Sequence, residues 1–198
     1  MKIKALFVDL GGVLILNRAT EVGLKYEKSE GLTPEVIRNT FRYIQTAKRS
    51  DVEIETYLKN EGVSIDLWKK YLADFYNSET KNFGLIELLN KAKEFGIKIV
   101  YTTNNSKKLE DLMKKYQIDN IPNLIINSSE ARVAKPDPIF WTVAFREARK
   151  LLPNLEVKDV LVIDDSATNC ESATNFGFNS FRYVDDSESQ KKISEMIF

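Results

Sequence analysis

Short apolar runs, each stopping at polar residues and separated by stretches of helical period, set what this chain can fold into. Ile3 to Val8 ends at Asp9, and Ile97 to Tyr101 runs into Thr102, Thr103 and Asn104. Asn123 to Ile126 is a third run, Val160 to Ile163 a fourth ending at Asp164 and Asp165, and Ser180 to Val184 a fifth. Runs this short and this continuously apolar fit strands of a parallel sheet covered on both faces. Between them, Phe83 to Phe95 carries Ile86, Leu88 and Leu89 at helical spacing before Gly96, and Lys107 to Tyr116 presents Leu109, Leu112, Met113 and Tyr116. Asp137-Pro138 joins an N-cap to a proline at the first helical position and predicts a helix to about Leu152. Ser166 to Phe176 stops at Gly177, and the spacing of Ser187 and Gln190 predicts a capped C-terminal helix. The expected fold is α/β, with a doubly wound, Rossmann-like parallel sheet.

Residues 16–80 break the alternation. They hold no convincing strand but four helical patterns: Ala19 to Glu27, Thr33-Pro34 to Lys48, Glu53 to Asn60 and Ser64 to Tyr76. The expected organisation is a core of residues 1–15 and 81–198, with 16–80 inserted as an all-helical subdomain. Paired lysines such as Lys69-Lys70 and Lys114-Lys115 read as solvated helix faces.

Composition narrows the chemistry. No histidine is present, which removes Ser-His-Asp and Cys-His hydrolysis, histidine phosphotransfer and His-ligated zinc. Cys170 is the lone cysteine, so neither an intramolecular disulfide nor a CxxC motif can form. A C-x5-R phosphate loop fails too, because Phe176 stands at the arginine position. Lys plus Arg and Asp plus Glu both number 29, and this balance argues against a dedicated nucleic-acid partner. The apolar N-terminal run holds Asp9 at its middle, and no small-residue cleavage site follows. No stretch is apolar for long enough to span a membrane, so a cytoplasmic location is expected.

What remains is carboxylates, lysine, hydroxyls and backbone amides. Four candidates lie at strand carboxyl ends or in the loops after them, the edge where open parallel sheets bind ligands: Asp9, Thr103, Lys135 and the pair Asp164-Asp165. Each alone reads as a cap, a turn residue or a solvated charge. Together they read differently. Carboxylates from two strand ends can hold a hard cation such as Mg²⁺. A lysine and a hydroxyl can hold phosphate oxygens, and a free carboxylate can attack phosphorus.

In this order, FVDLGGVL, VYTTN, KPDPIF and VLVIDDSATN resemble the four motifs of the haloacid dehalogenase (HAD) superfamily, across almost the whole chain. The helical insert resembles that family's C1-type cap, and the DLGGV start resembles a branch that includes sugar-phosphate phosphatases. Receiver domains use similar residues, but their acidic pair comes first in the chain, and here it comes last. The resemblance implies that Asp9 is the nucleophile and a metal ligand, and that the Gly11 carbonyl is a second ligand. It implies Thr103 and Asn104 for binding the transferring phosphoryl group and Lys135 as counter-charge. Asp165 would be a direct metal ligand, with Asp164 acting through water or orienting the site.

The chain departs from that pattern at Gly11, where most phosphatases of the superfamily carry a second Asp as acid and base. The leading expectation is a Mg²⁺-dependent phosphatase acting on a small phosphorylated metabolite, with no nucleic-acid or membrane partner and as a monomer. The alternatives are a weakly catalytic phosphate- and metal-binding protein, or a metal-independent dehalogenase. Arg18 and Arg49 are expected to bind substrate, within a wider candidate group of Asn17, Arg42 and Lys48.

Overall fold

The structure is a computed structural model, described for residues 3–17, 19–106, 109–185 and 187–198. The chain opens with β1 (Ala5–Val8) and β2 (Ile15–Leu16), then makes α1 (Ala19–Glu30), α2 (Pro34–Gln45), α3 (Asp51–Asn60) and α4 (Ile65–Asn77). It continues through β3 (Thr80–Lys81), α5 (Phe83–Glu94), β4 (Lys98–Thr103), α6 (Leu109–Tyr116), β5 (Leu124–Asn127) and a short α7 (Ser128–Ala131). After these come α8 (Pro138–Leu151), β6 (Val160–Asp164), α9 (Ala167–Phe176), β7 (Asn179–Arg182) and α10 (Ser187–Ile197).

Five strands form one parallel sheet in the order β5-β4-β1-β6-β7, the doubly wound α/β core that the sequence predicts. The chain winds from β1 to β4 and β5, then crosses to β6 and β7 on the other side. The carboxyl ends of β4, β1 and β6 therefore stand side by side where the winding changes direction. Alternation along β1 divides the core. Leu6 and Val8 join Leu89, Ile99 and Ile193 on one face, while Ala5 and Phe7 join Phe140, Trp141 and Phe178 on the other. Both faces are covered, which is why β1 reads as a continuous apolar run rather than an alternating one.

Several boundaries move. β4 extends past Tyr101 through Thr103, because Thr102 and Thr103 pair with Ile126 and Asn127. α6 starts at Leu109 among the described residues, and the expected start at Lys107 lies outside them. α2 ends at Gln45 rather than Lys48, and Ser50 then caps α3 in a reciprocal capping box with Glu53.

The four helices α1 to α4 pack on an apolar cluster of their own, which includes Tyr26, Leu58, Trp68 and Tyr71. The absence of strand expected over residues 16–80 does not hold at the margins. β2 and β3 pair antiparallel, Ile15 with Lys81 and Leu16 with Thr80, where the chain leaves and rejoins the core. Two residues per strand are too few to show a period. Asn82 fastens this crossing. Its N–H donates to the Leu14 carbonyl at 3.0 Å, and its Nδ2 donates to the Val13 carbonyl and the Tyr183 hydroxyl, both at 2.7 Å. Its Oδ1 accepts from Leu85 N–H, capping α5.

Candidate active site

After β1 the chain turns tightly. The Leu10 carbonyl accepts from the N–H groups of Val13, Leu14 and Ile15, and Gly12 N–H donates to the Ile15 carbonyl. Gly12 takes φ +75°, where a side chain is strained, and a Cβ there would overlap the Asp165 carboxylate. This glycine, which the sequence reading passed over, lets the loops after β1 and β6 meet. Gly11 is different: a Cβ at that position meets nothing within 4 Å.

Lys135 joins the strand ends. Its Nζ donates to the Thr102 carbonyl at 2.7 Å and to Asp164 Oδ2 at 2.6 Å, and lies 3.0 Å from Asp9 Oδ1. Those three partners use all three ammonium donors, and the side chain is fully buried. Asn104 holds the lysine from behind, its Oδ1 accepting from Lys135 N–H and its Nδ2 donating to the Lys135 carbonyl, both at 2.9 Å. Asp164 is fully engaged, because its Oδ1 also accepts from Ser166 N–H and Asn169 Nδ2. Asp165 is the open carboxylate of the pair, with its backbone carbonyl accepting from Arg182 Nε at 3.1 Å. Asp9 Oδ1 also takes Leu10 N–H at 2.8 Å, and its Oδ2 has no donor among the described residues.

Carboxylate oxygens of Asp9, Asp164 and Asp165 lie within 4.8 Å of one another. Three carboxylates share one ammonium, and the imbalance shows in the acidities of Asp9 and Asp165. Burial pushes Asp9 up to about 7; Lys135 opposes this, while Asp164 and Asp165 add to it. Asp165 is raised as well, by burial and then by Asp164. Burial works against the Lys135 charge, yet Asp164 and Asp9 outweigh it and hold the lysine above its ordinary value. A hard divalent cation would balance the excess, and carboxylate oxygens such as those of Asp9 and Asp165 are the donor type that Mg²⁺ takes. The residues fit such an ion.

Asp9, Gly11, Thr103, Asn104, Lys135 and Asp165 line one cavity of about 650 Å³, so the structure brings the expected chemical residues together. The Thr103 hydroxyl has no hydrogen-bond partner among the described residues. The Asn104 amide side chain is spent on Lys135, and its backbone N–H has no partner among the described residues. Asn17 and Arg42 line the cavity as well, and Asn17 Oδ1 accepts from Ala19 N–H. Arg49 does not join them. It lies over the Tyr43 ring, 4.3 Å from the centroid, and lines a neighbouring cavity of about 320 Å³. Lys48 pairs with Glu130 at 2.6 Å, and Arg18 lies outside the described residues. The sequence reading missed Asn169 and Arg38; the Asn169 contact to Asp164 runs from the first turn of α9 back to the end of β6, a spacing that carries no separate signal.

The sequence pattern of haloacid dehalogenase-like hydrolases matches residues 3–177, and the chain belongs to that family. No curated protein matches it by sequence. Among solved structures it is similar to a HAD family enzyme from Bacteroides thetaiotaomicron, with 20% identity and a TM-score of 0.73 over 97% of this chain and 99% of that one. A magnesium complex of that enzyme has also been solved. A predicted HAD-like hydrolase from Porphyromonas gingivalis is 18% identical with a TM-score of 0.76, covering 100% of this chain and 98% of that one. The L-2-haloacid dehalogenase of Xanthobacter autotrophicus is 20% identical with a TM-score of 0.59, over 99% and 84%. The chain is thus a HAD-family hydrolase whose acidic group suits a metal ion. Among the described residues, no helix is long and apolar enough to cross a membrane.

Proposed function

We propose that the protein is a Mg²⁺-dependent phosphomonoesterase acting on a small phosphorylated metabolite through an aspartyl-phosphate on Asp9, with α1 to α4 as a C1-type cap. The observation that carries this reading is the convergence of Asp9, Asp164 and Asp165 on one another beside Lys135, with one Asp9 oxygen left without a donor among the described residues. A site for a metal-free dehalogenase has no need of the open, charge-raising Asp165.

Bound Mg²⁺ would supply the positive charge that the three carboxylates lack and would draw electron density from a phosphoryl oxygen. Lys135 and Leu10 N–H hold Asp9 Oδ1, so Oδ2 attacks phosphorus as the bond to the leaving oxygen breaks. The Thr103 hydroxyl and Asn104 N–H hold the transferring oxygens. Water then attacks phosphorus, releasing inorganic phosphate and restoring Asp9. With glycine at position 11, the departing oxygen takes its proton from water. The favoured esters are therefore those with acidic leaving groups, such as anomeric sugar phosphates, acyl phosphates and aryl phosphates.

A panel of phosphate esters, with Mg²⁺ and with chelator, tests this reading. Turnover should require Mg²⁺ and fall on the order of 10³-fold or more in Asp9→Asn. Gly11 favours one rival, a phosphate- and metal-binding protein with almost no turnover. Binding of Mg²⁺ and phosphate without hydrolysis of any ester would establish that rival, and halide release from haloacids without Mg²⁺ would establish a dehalogenase.

A further inference from the structure

Helix α2 turns one face to the catalytic cavity: Pro34, Ile37, Arg38, Phe41, Arg42 and Gln45 line it at helical spacing. Arg38 and Arg42 are four residues apart, so their guanidinium groups project from neighbouring turns of that face. Like charges at this spacing disfavour a helix unless something offsets them. Neither guanidinium forms an ion pair or hydrogen bond with another described residue. Of the other five described arginines, only Arg132 is likewise without one: Arg49 lies near Glu53, Arg146 pairs with Glu147, and Arg149 and Arg182 reach the Pro153 and Asp165 carbonyls. The carboxylate of Glu79, which also lines the cavity, is already held by the Tyr116 hydroxyl at 2.8 Å, with Lys115 at 3.6 Å.

We propose that Arg38 and Arg42 form a second anion subsite, so that the preferred substrates are phosphate esters carrying another anionic group, a carboxylate or a phosphate, remote from the ester that is cleaved. The proposal rests on the phosphatase reading and names the substrate class of that site. A planar guanidinium binds either group through paired hydrogen bonds. A cavity of about 650 Å³ has room for such a molecule between α2 and Asp9.

The test uses matched compounds at fixed ionic strength with Mg²⁺: glycerol phosphate, phosphoglycerate and glycerol bisphosphate, then hexose monophosphate, phosphogluconate and hexose bisphosphate. In at least one set, kcat/KM should be about tenfold or more higher for a member with a second anion than for the neutral-ended one. The carboxylate and bisphosphate arms show which anion the site takes. The preference should fall to near unity in the Arg38→Gln/Arg42→Gln double variant and partway in each single variant, with folding checked by circular dichroism. Equal kcat/KM across both sets, while p-nitrophenyl phosphate is hydrolysed, would overturn the subsite and leave the phosphatase reading standing. If no ester is hydrolysed, that reading fails instead. Calorimetry with the same compounds then decides the subsite: about tenfold weaker binding to the double variant supports it, and equal binding overturns it.

Discussion

At the scale of single residues, the site depends on a buried counter-charge and a glycine that lets two loops touch. Lys135→Ala would leave Asp9 and Asp164 facing one another in a buried place with the Thr102 carbonyl unpaired. Breaking a buried pair in this way costs about 3–5 kcal/mol, so urea unfolding should show that loss together with near-complete loss of turnover. Small effects on both would make Lys135 an ordinary loop lysine. Gly12→Ala should force Asp165 aside, raising the Mg²⁺ concentration for half-maximal activity about tenfold and costing about 1–2 kcal/mol of strain. An unchanged Mg²⁺ requirement would contradict that account of Gly12. Gly11→Asp meets no such obstacle, and it should speed breakdown of the phosphorylated enzyme in rapid-quench kinetics by up to about 10²-fold. Polar residues at the ends of apolar runs made Asp9, Thr103, Asp164 and Asp165 legible in the sequence, and the KPDPIF segment in the loop after the third run did so for Lys135. Gly12, Asn169, Arg38 and the clasp of Asn104 on Lys135 depend on contacts between distant loops, or on which face a helix presents.

At the scale of elements, β1, β4 and β6 were legible because each is buried on both faces, and the partly exposed edge strands β5 and β7 because they are short runs bounded by turn residues. β2 and β3 were not, since their pairing is fixed by the return of the chain rather than by a pattern within either. Asn82 shows what holds that return in place. Asn82→Ala removes the α5 cap and leaves the Val13 carbonyl and Tyr183 hydroxyl without this partner, which should cost about 2–4 kcal/mol in denaturant unfolding. Ser50→Ala, which opens only the exposed capping box of α3, should cost about 1 kcal/mol. Equal losses in the two variants would deny Asn82 its role at the crossing.

For the whole molecule, charge ties stability to pH and metal. Asp9 has its folded pKa raised from 3.8 to about 7, so between those values the metal-free folded chain keeps a proton that the unfolded chain has released. Raising the pH through that window therefore lowers stability. Mg²⁺ competes with that proton, so the rise in Tm on adding Mg²⁺ should grow from pH 5 to pH 8; a rise that shrinks would contradict the metal site. Asp159 runs the other way. Its hydrogen bond from Lys4 holds its pKa below 3.8, so its contribution is full above that value and is lost as pH falls through the depressed one. Asp159→Asn should remove that part of the acid-side loss. The central claim, that Asp9 carries the phosphoryl group, is tested most directly by acid-quenching the enzyme during turnover of p-nitrophenyl phosphate with Mg²⁺ and mapping the peptides by mass spectrometry. The account predicts a phosphoryl adduct on the peptide containing Asp9, formed with the burst of p-nitrophenol and absent from Asp9→Asn. Steady turnover with no burst and no adduct at Asp9 would contradict it.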